Sequence, residues 1–233
     1  MIVKSNVKVR CRRTLGLGCA AALLTASMLA VQVRADMLTF ELTVEYTDDD
    51  GTAPAGLLAD GAWLTATFSD NANGTVDLTL DASNLVDVEF TRRWYFNFDP
   101  TKDATLLDFS PGVGDAPDAR SPVQTGEDAF RSGGDGEFDI LFLWNPSTQI
   151  FDEDGSWTTT ISRSDSADVF ASDFDFLSVG GGESREGLFT AAHVQGIGVD
   201  GEDSGWVTIP APGAVVLGAL GLGAVAWLRR RMT

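Results

Sequence analysis

The stretch AWLTATFSDNANGTVDLTLDA, residues 62–82, decides the fold class. Leu64, Ala66 and Phe68 alternate with Thr65, Thr67 and Ser69, and Val76, Leu78 and Leu80 alternate with Asp77, Thr79 and Asp81. A period of two sends one set of side chains to a core and the other to water, as in a half-buried strand. Between the runs stands Asn73-Gly74. That dipeptide tolerates the positive φ angles of a type I′ turn, so the segment is expected to be a β-hairpin closed by such a turn.

The same period continues outward. In MLTFELTVEY (37–46), Leu38, Phe40, Leu42, Val44 and Tyr46 fall on one face, and Asp48-Asp49-Asp50-Gly51 ends the run with turn chemistry. Further strand candidates are LVDVEF (85–90), RWYFNFD (93–99), ATLLDF (104–109), FDILFLW (138–144), SWTTTIS (156–162), TAAHVQGIG (190–198) and GWVTI (205–209). Residues 110–136 read as a long Gly-, Pro- and Asp-rich loop, and Ser166–Phe176 as room for one short helix. Many short strands, polar turns and no long amphipathic helix predict an all-β domain. The expected form is an antiparallel β-sandwich, jelly-roll-like, over residues 36–207. No fixed-period repeat is visible, which argues against a solenoid or propeller.

Charge is sharply partitioned along the chain. The net charge of −18 hides an interior, Asp36 to Asp203, that holds all 34 acids against seven basic residues. A net −27 over that interior argues against DNA, RNA and anionic membrane surfaces as partners, and is compatible with a cationic or cation-bridged polysaccharide. Residues 1–35 carry no acid, and they order as a secretory signal peptide does. A basic segment (Lys4 to Arg13) precedes an apolar one (15–33), then Val33-Arg34-Ala35, so cleavage is expected between Ala35 and Asp36 after Sec export. Both cysteines, Cys11 and Cys19, lie in that segment, so the mature chain would have no disulfide and no thiolate metal site. A domain of roughly 170 residues buries enough apolar surface to fold without them.

Catalytic constellations are sparse. A Ser-His-Asp triad or a histidine zinc site would have to use His193, the only histidine in the chain. No G-x-S-x-G elbow, phosphate loop or dinucleotide fingerprint appears. Paired carboxylates for glycoside hydrolysis carry no signal in a chain this acidic. No cofactor is expected. Calcium is the one ion the acidic loops suit, with Asp135, Glu137 and Asp139 as candidate ligands and the loops at 48–50 and 152–154 as others; none matches an EF-hand. Trp63, Trp94, Tyr95, Trp144, Trp157 and Trp206 raise carbohydrate stacking, although strand positions favour core packing. Trp94 and Tyr95 are adjacent on a strand, so one of them should lie outside the core.

The chain ends IPAPGAVVLGALGLGAVAWLRRRMT, Ile209–Thr233. A helix over the 16 apolar residues 213–228 would span about 24 Å, against roughly 30 Å of hydrocarbon. The arginines behind it would stay cytoplasmic, leaving the acidic domain outside the inner membrane. Pro210-Ala211-Pro212-Gly213, the apolar run and Arg229-Arg230-Arg231 resemble, in that order, the PEP-CTERM sorting signal of Gram-negative bacteria, with Ala211 where the namesake glutamate usually stands. WYFNFDP (94–100), DGEFDILF (135–142), AAHVQGIG (191–198) and SGWV (204–207) are similar to stretches of ectodomains that carry such tails. The resemblance implies recognition of residues 208–233 by an exosortase-type membrane protease and delivery of the ectodomain to the cell surface or the extracellular polysaccharide matrix. The expected function is therefore that of an exported surface or matrix protein without catalytic activity. The alternatives are a carbohydrate- or calcium-binding surface module, and then a secreted hydrolase, which would need a cleft holding His193 or two opposed buried carboxylates.

Overall fold

A computed structural model describes residues 36–45, 61–114, 123–133, 135–144, 151–152, 155–180, 187–198 and 200–209. The expected hairpin is present as β3 (Leu64–Asp70) and β4 (Val76–Asp81), antiparallel from Thr65↔Asp81 to Asp70↔Val76. Its turn differs from the expected one. The Asn71 N–H donates to the Thr75 carbonyl at 2.8 Å and the Gly74 N–H to the Asn71 carbonyl at 3.2 Å. Of the described loop residues only Gly74 has positive φ, +78°. This is a three-residue loop built on a type I turn with glycine in the left-handed position, not a two-residue type I′ turn. Neighbouring structure favours it: the Gly74 carbonyl accepts from Val169 N–H at 3.0 Å, and a Cβ on Gly74 would lie 2.1 Å from Asp168 Oδ1.

The N-terminal alternation is split between two sheets. β1 (Met37–Leu42) pairs with β3, while β2 (Val44–Glu45) pairs with β13 (Asp203–Thr208). Thr43 is the crossing point, its N–H donating to the Thr208 carbonyl at 3.0 Å. Phe40 and Leu42 are buried as expected, but Val44 is 37% exposed, because the chain changes sheets before reaching it. Tyr46 lies outside the described residues.

Two antiparallel sheets result. The first orders β1-β3-β4-β11-β6, with β11 (Ser156–Arg163) pairing both β6 (Leu107–Phe109) and β7 (Val113–Gly114). The second orders β2-β13-β12-β5-β9-β8, from β12 (Thr190–Ile197), β5 (Phe90–Phe96), β9 (Asp135–Leu143) and β8 (Gln124–Ser132), with β10 (Phe151–Asp152) beside β5. Their inner faces share one apolar core, so the domain is a β-sandwich. Phe68 of β3 meets Phe96 of β5 edge-on at 5.4 Å, and Phe142 of β9 meets Trp157 of β11 edge-on at 5.7 Å. Each such ring contributes about 1.5–3 kcal/mol by leaving water.

Three expectations are overturned. Residues 85–89 form a turn rather than a strand: Asp87 has φ +57° and the Glu89 N–H donates to the Val86 carbonyl at 3.0 Å. That turn packs against a bulge in β12, where a Cβ on Gly196 (φ +78°) would lie 2.1 Å from the Val88 carbonyl oxygen. Residues 124–132, expected within a loop, form the edge strand β8; it is mostly exposed and held by backbone pairing to β9, so it carries no apolar alternation. The expected short helix is a four-residue 3-10 turn, Ala171–Phe174.

Candidate functional site

An acidic cleft lies where β5 runs out. Beyond Phe96 the chain makes two successive turns of the same kind. Asp99 Oδ1 accepts from Thr101 N–H (2.8 Å) and Oγ1 (2.7 Å), and Asp103 Oδ1 accepts from Thr105 N–H (2.9 Å) and Oγ1 (2.6 Å). Those bonds hold both carboxyls below the usual carboxylate range. Between them Lys102 Nζ reaches Asp173 Oδ2 at 2.5 Å and lies 5.8 Å from the Phe170 ring centroid. Asp173, largely buried, also accepts the Phe170 N–H at 3.0 Å.

Across from this loop, β8 loses register with β9 between Thr125 and Phe130, and Asp128 takes φ +48°. Asp139 binds both sides together: Oδ2 accepts from Phe98 N–H and Oδ1 from Asp128 N–H, each at 2.8 Å. The space between is a cleft of about 550 Å³ with Asp99, Asp103, Glu127, Asp128 and Asp139 around it and an apolar side formed by Phe176, Leu177 and Val179. Burial raises the Asp128 pKa, and the negative charges of Asp139, Glu127 and Glu137 raise it further. Of these the sequence singles out only Asp139, because Asp99, Asp103, Glu127 and Asp128 come from two distant stretches that the pairing of β9 with both β5 and β8 brings together.

The proposed calcium ligands have other commitments. Glu137 pairs with Arg131, whose Nε donates to Glu137 Oε1 at 3.0 Å and whose second guanidinium nitrogen also contacts that oxygen. Asp139 satisfies two backbone N–H groups, and the Asp135 side chain lies outside the described residues. Among the described residues no group of three or more His, Cys, Asp or Glu side chains is placed to hold a metal ion.

The second place of interest is the outer face of the second sheet. Trp94 points into the core and its Nε1 donates to Thr190 Oγ1 at 3.0 Å; that hydroxyl donates to the Tyr95 carbonyl at 2.7 Å. Tyr95 points the other way, as adjacent strand positions require, yet it too is buried. A second apolar layer covers it: Phe138 at 5.5 Å, Trp206 at 5.7 Å, and Leu141 and Ala191. Burial raises its phenol pKa, while Arg93 and Arg92 oppose the rise. Trp63, Trp94, Trp144 and Trp157 are core residues, which leaves Trp206, partly buried, as the described tryptophan nearest the surface.

His193 stands on that outer face, as the alternation predicts, stacked on Trp206 with ring centroids 4.5 Å apart and planes 22° apart. Burial, then the charges of Arg93 and Arg92, push its pKa down to about 4. A triad histidine needs a carboxylate to favour its charged form; the two guanidinium groups here disfavour it.

The sorting residues Pro210, Ala211, Pro212, Gly213, Arg229, Arg230 and Arg231, the segment 1–35 with Ala35, and most of the tail lie outside the described residues. Asp36 is described, and its carbonyl accepts the Asp70 N–H at 3.0 Å beside β3. Among the described residues no helix is long and apolar enough to cross a membrane. No family model, curated protein or solved structure matches the chain.

Proposed function

We propose that this is an exported surface or matrix protein: a non-enzymatic β-sandwich carried across the inner membrane by its N-terminal segment, held briefly by its C-terminal helix, and released by an exosortase-type protease. The carrying observation is the tripartite tail, Pro210-Ala211-Pro212, the apolar run 213–228 and Arg229–Arg231, in that order. Its position supports the reading. The last strand among the described residues ends at Thr208, two residues before Pro210, so a recognition motif would follow that strand directly. The acidic interior, net −27, suits a matrix held together by cations or amino groups and repels nucleic acid.

The test is removal of residues 210–233 in the native host. The truncated protein is expected to be exported but to leave the surface fraction for the soluble one. Unchanged surface retention without the tail would overturn the sorting reading.

A further inference from the structure

We propose that the outer-face row Arg93–His193–Trp206 is an acid-sensitive fastening for β13, the last strand of the sandwich. The row follows from the register. His193 on β12 stands opposite Arg93 on β5 and opposite Trp206 on β13, so three neighbouring strands place their side chains side by side on one face. With the imidazole neutral, its ring stacks on the Trp206 indole on one side and its strand position stands opposite Arg93 on the other.

A proton on that ring puts a second positive charge directly across from the Arg93 guanidinium. Among the described residues, the charges that act on it are cationic, Arg93 and Arg92 from β5, and β13 supplies the uncharged Trp206. Glu45 on β2 stands opposite Val207, an inner-face residue, and so belongs to the other side of the sheet. Like charges directly opposed on adjacent strands destabilise the pairing, the more so where water is partly excluded.

The strand that loosens is set by the topology. β13 pairs with β12 at six positions but with β2 at only two, Val207↔Glu45 and Thr208↔Val44, among the described residues. Its hold on the sheet therefore depends on β12. β12 itself is clamped from the far side by β5 at six positions, so it is β13 that frays. Acid would free Asp203–Thr208 and expose Val207 while leaving the first sheet paired. This holds whether or not the tail is processed.

Amide hydrogen exchange on the full-length protein tests it, at about pH 7 and about pH 5. The β13 amides are expected to be less protected than those of β3–β4 at both pH values, and to lose at least about tenfold in protection on going to the lower pH, the scale set by one unit of pKa displacement. His193→Gln should abolish that acid-induced loss. Protection of β13 equal to that of β3–β4, which would place its opening in global unfolding, or unchanged acid sensitivity in the variant, would overturn the proposal. If the variant does not fold, proton NMR of the wild type decides. His193 is the only histidine, so its ring signal is unambiguous. A midpoint well below about 6.5 supports the fastening, and one at the ordinary value refutes it.

Discussion

Asp139 accepts the Phe98 backbone N–H at 2.8 Å and thereby joins the strand β9 to the loop that leaves β5. Its other oxygen serves the Asp128 N–H at the same distance. Asp139, a calcium-ligand candidate in DGEFD, serves as a structural bracket between β9, β8 and the loop after β5. Asp139→Ala strands two amide donors, and each costs about 1–3 kcal/mol if buried. Because the site is only partly buried, a total loss of about 2–4 kcal/mol is expected in urea melts. Added calcium should not shift the wild-type midpoint; a calcium-dependent gain would restore the ligand role.

Gly74→Ala should destabilise by about 1–3 kcal/mol, since φ +78° is strained for alanine and the new Cβ would meet Asp168 Oδ1. Asn73→Ala should cost less, because Asn73 does not sit at positive φ and loses only the hydrogen bond from Thr75 Oγ1. A type I′ turn would make Asn73 comparably sensitive, so the pair of melts separates the two turns.

Asp173→Ala removes the partner of Lys102 and the acceptor for Phe170 N–H together. Breaking a largely buried, hydrogen-bonded pair costs up to about 3–5 kcal/mol, reduced here because Lys102 is 28% exposed. A fall of about 2–3 kcal/mol is expected by thermal denaturation. A change below about 0.5 kcal/mol would mean the loop at Phe98–Thr105 is held without this pair.

Acid stability should fall in two stages. His193 has a folded pKa of about 4, below its ordinary 6.5, so the unfolded chain binds its proton first. Stability is complete above about pH 6.5 and declines toward pH 4. Asp165, held to about 2 chiefly by its hydrogen bond from Arg163, contributes above its ordinary 3.8 and is lost as pH falls toward 2. Urea midpoints across pH should show the upper stage vanish in His193→Gln and the lower shrink in Asp165→Asn.

What could be read from the chain depended on which force placed each element. β3, β4 and β11 were legible because each buries one face, and burial writes a period of two into the residues. β8 was not: QTGEDAFRS is an edge held by main-chain bonds, which any side chains permit. LVDVEF alternates in composition but turns at Asp87, where a local φ of +57° overrides the pattern. Val44 misled because Thr43 carries the chain into the other sheet, a tertiary event with no local signature. The acidic cleft was legible only as Asp139, since its other carboxylates are assembled by strand pairing.

The sorting proposal makes residues 210–233 an address removed after delivery, and intact-mass analysis of the native surface form is its direct test. The predicted mass is that of a chain beginning near Asp36 and lacking Arg229, Arg230 and Arg231. A surface form that retains those three arginines would contradict the claim and make the tail a permanent anchor.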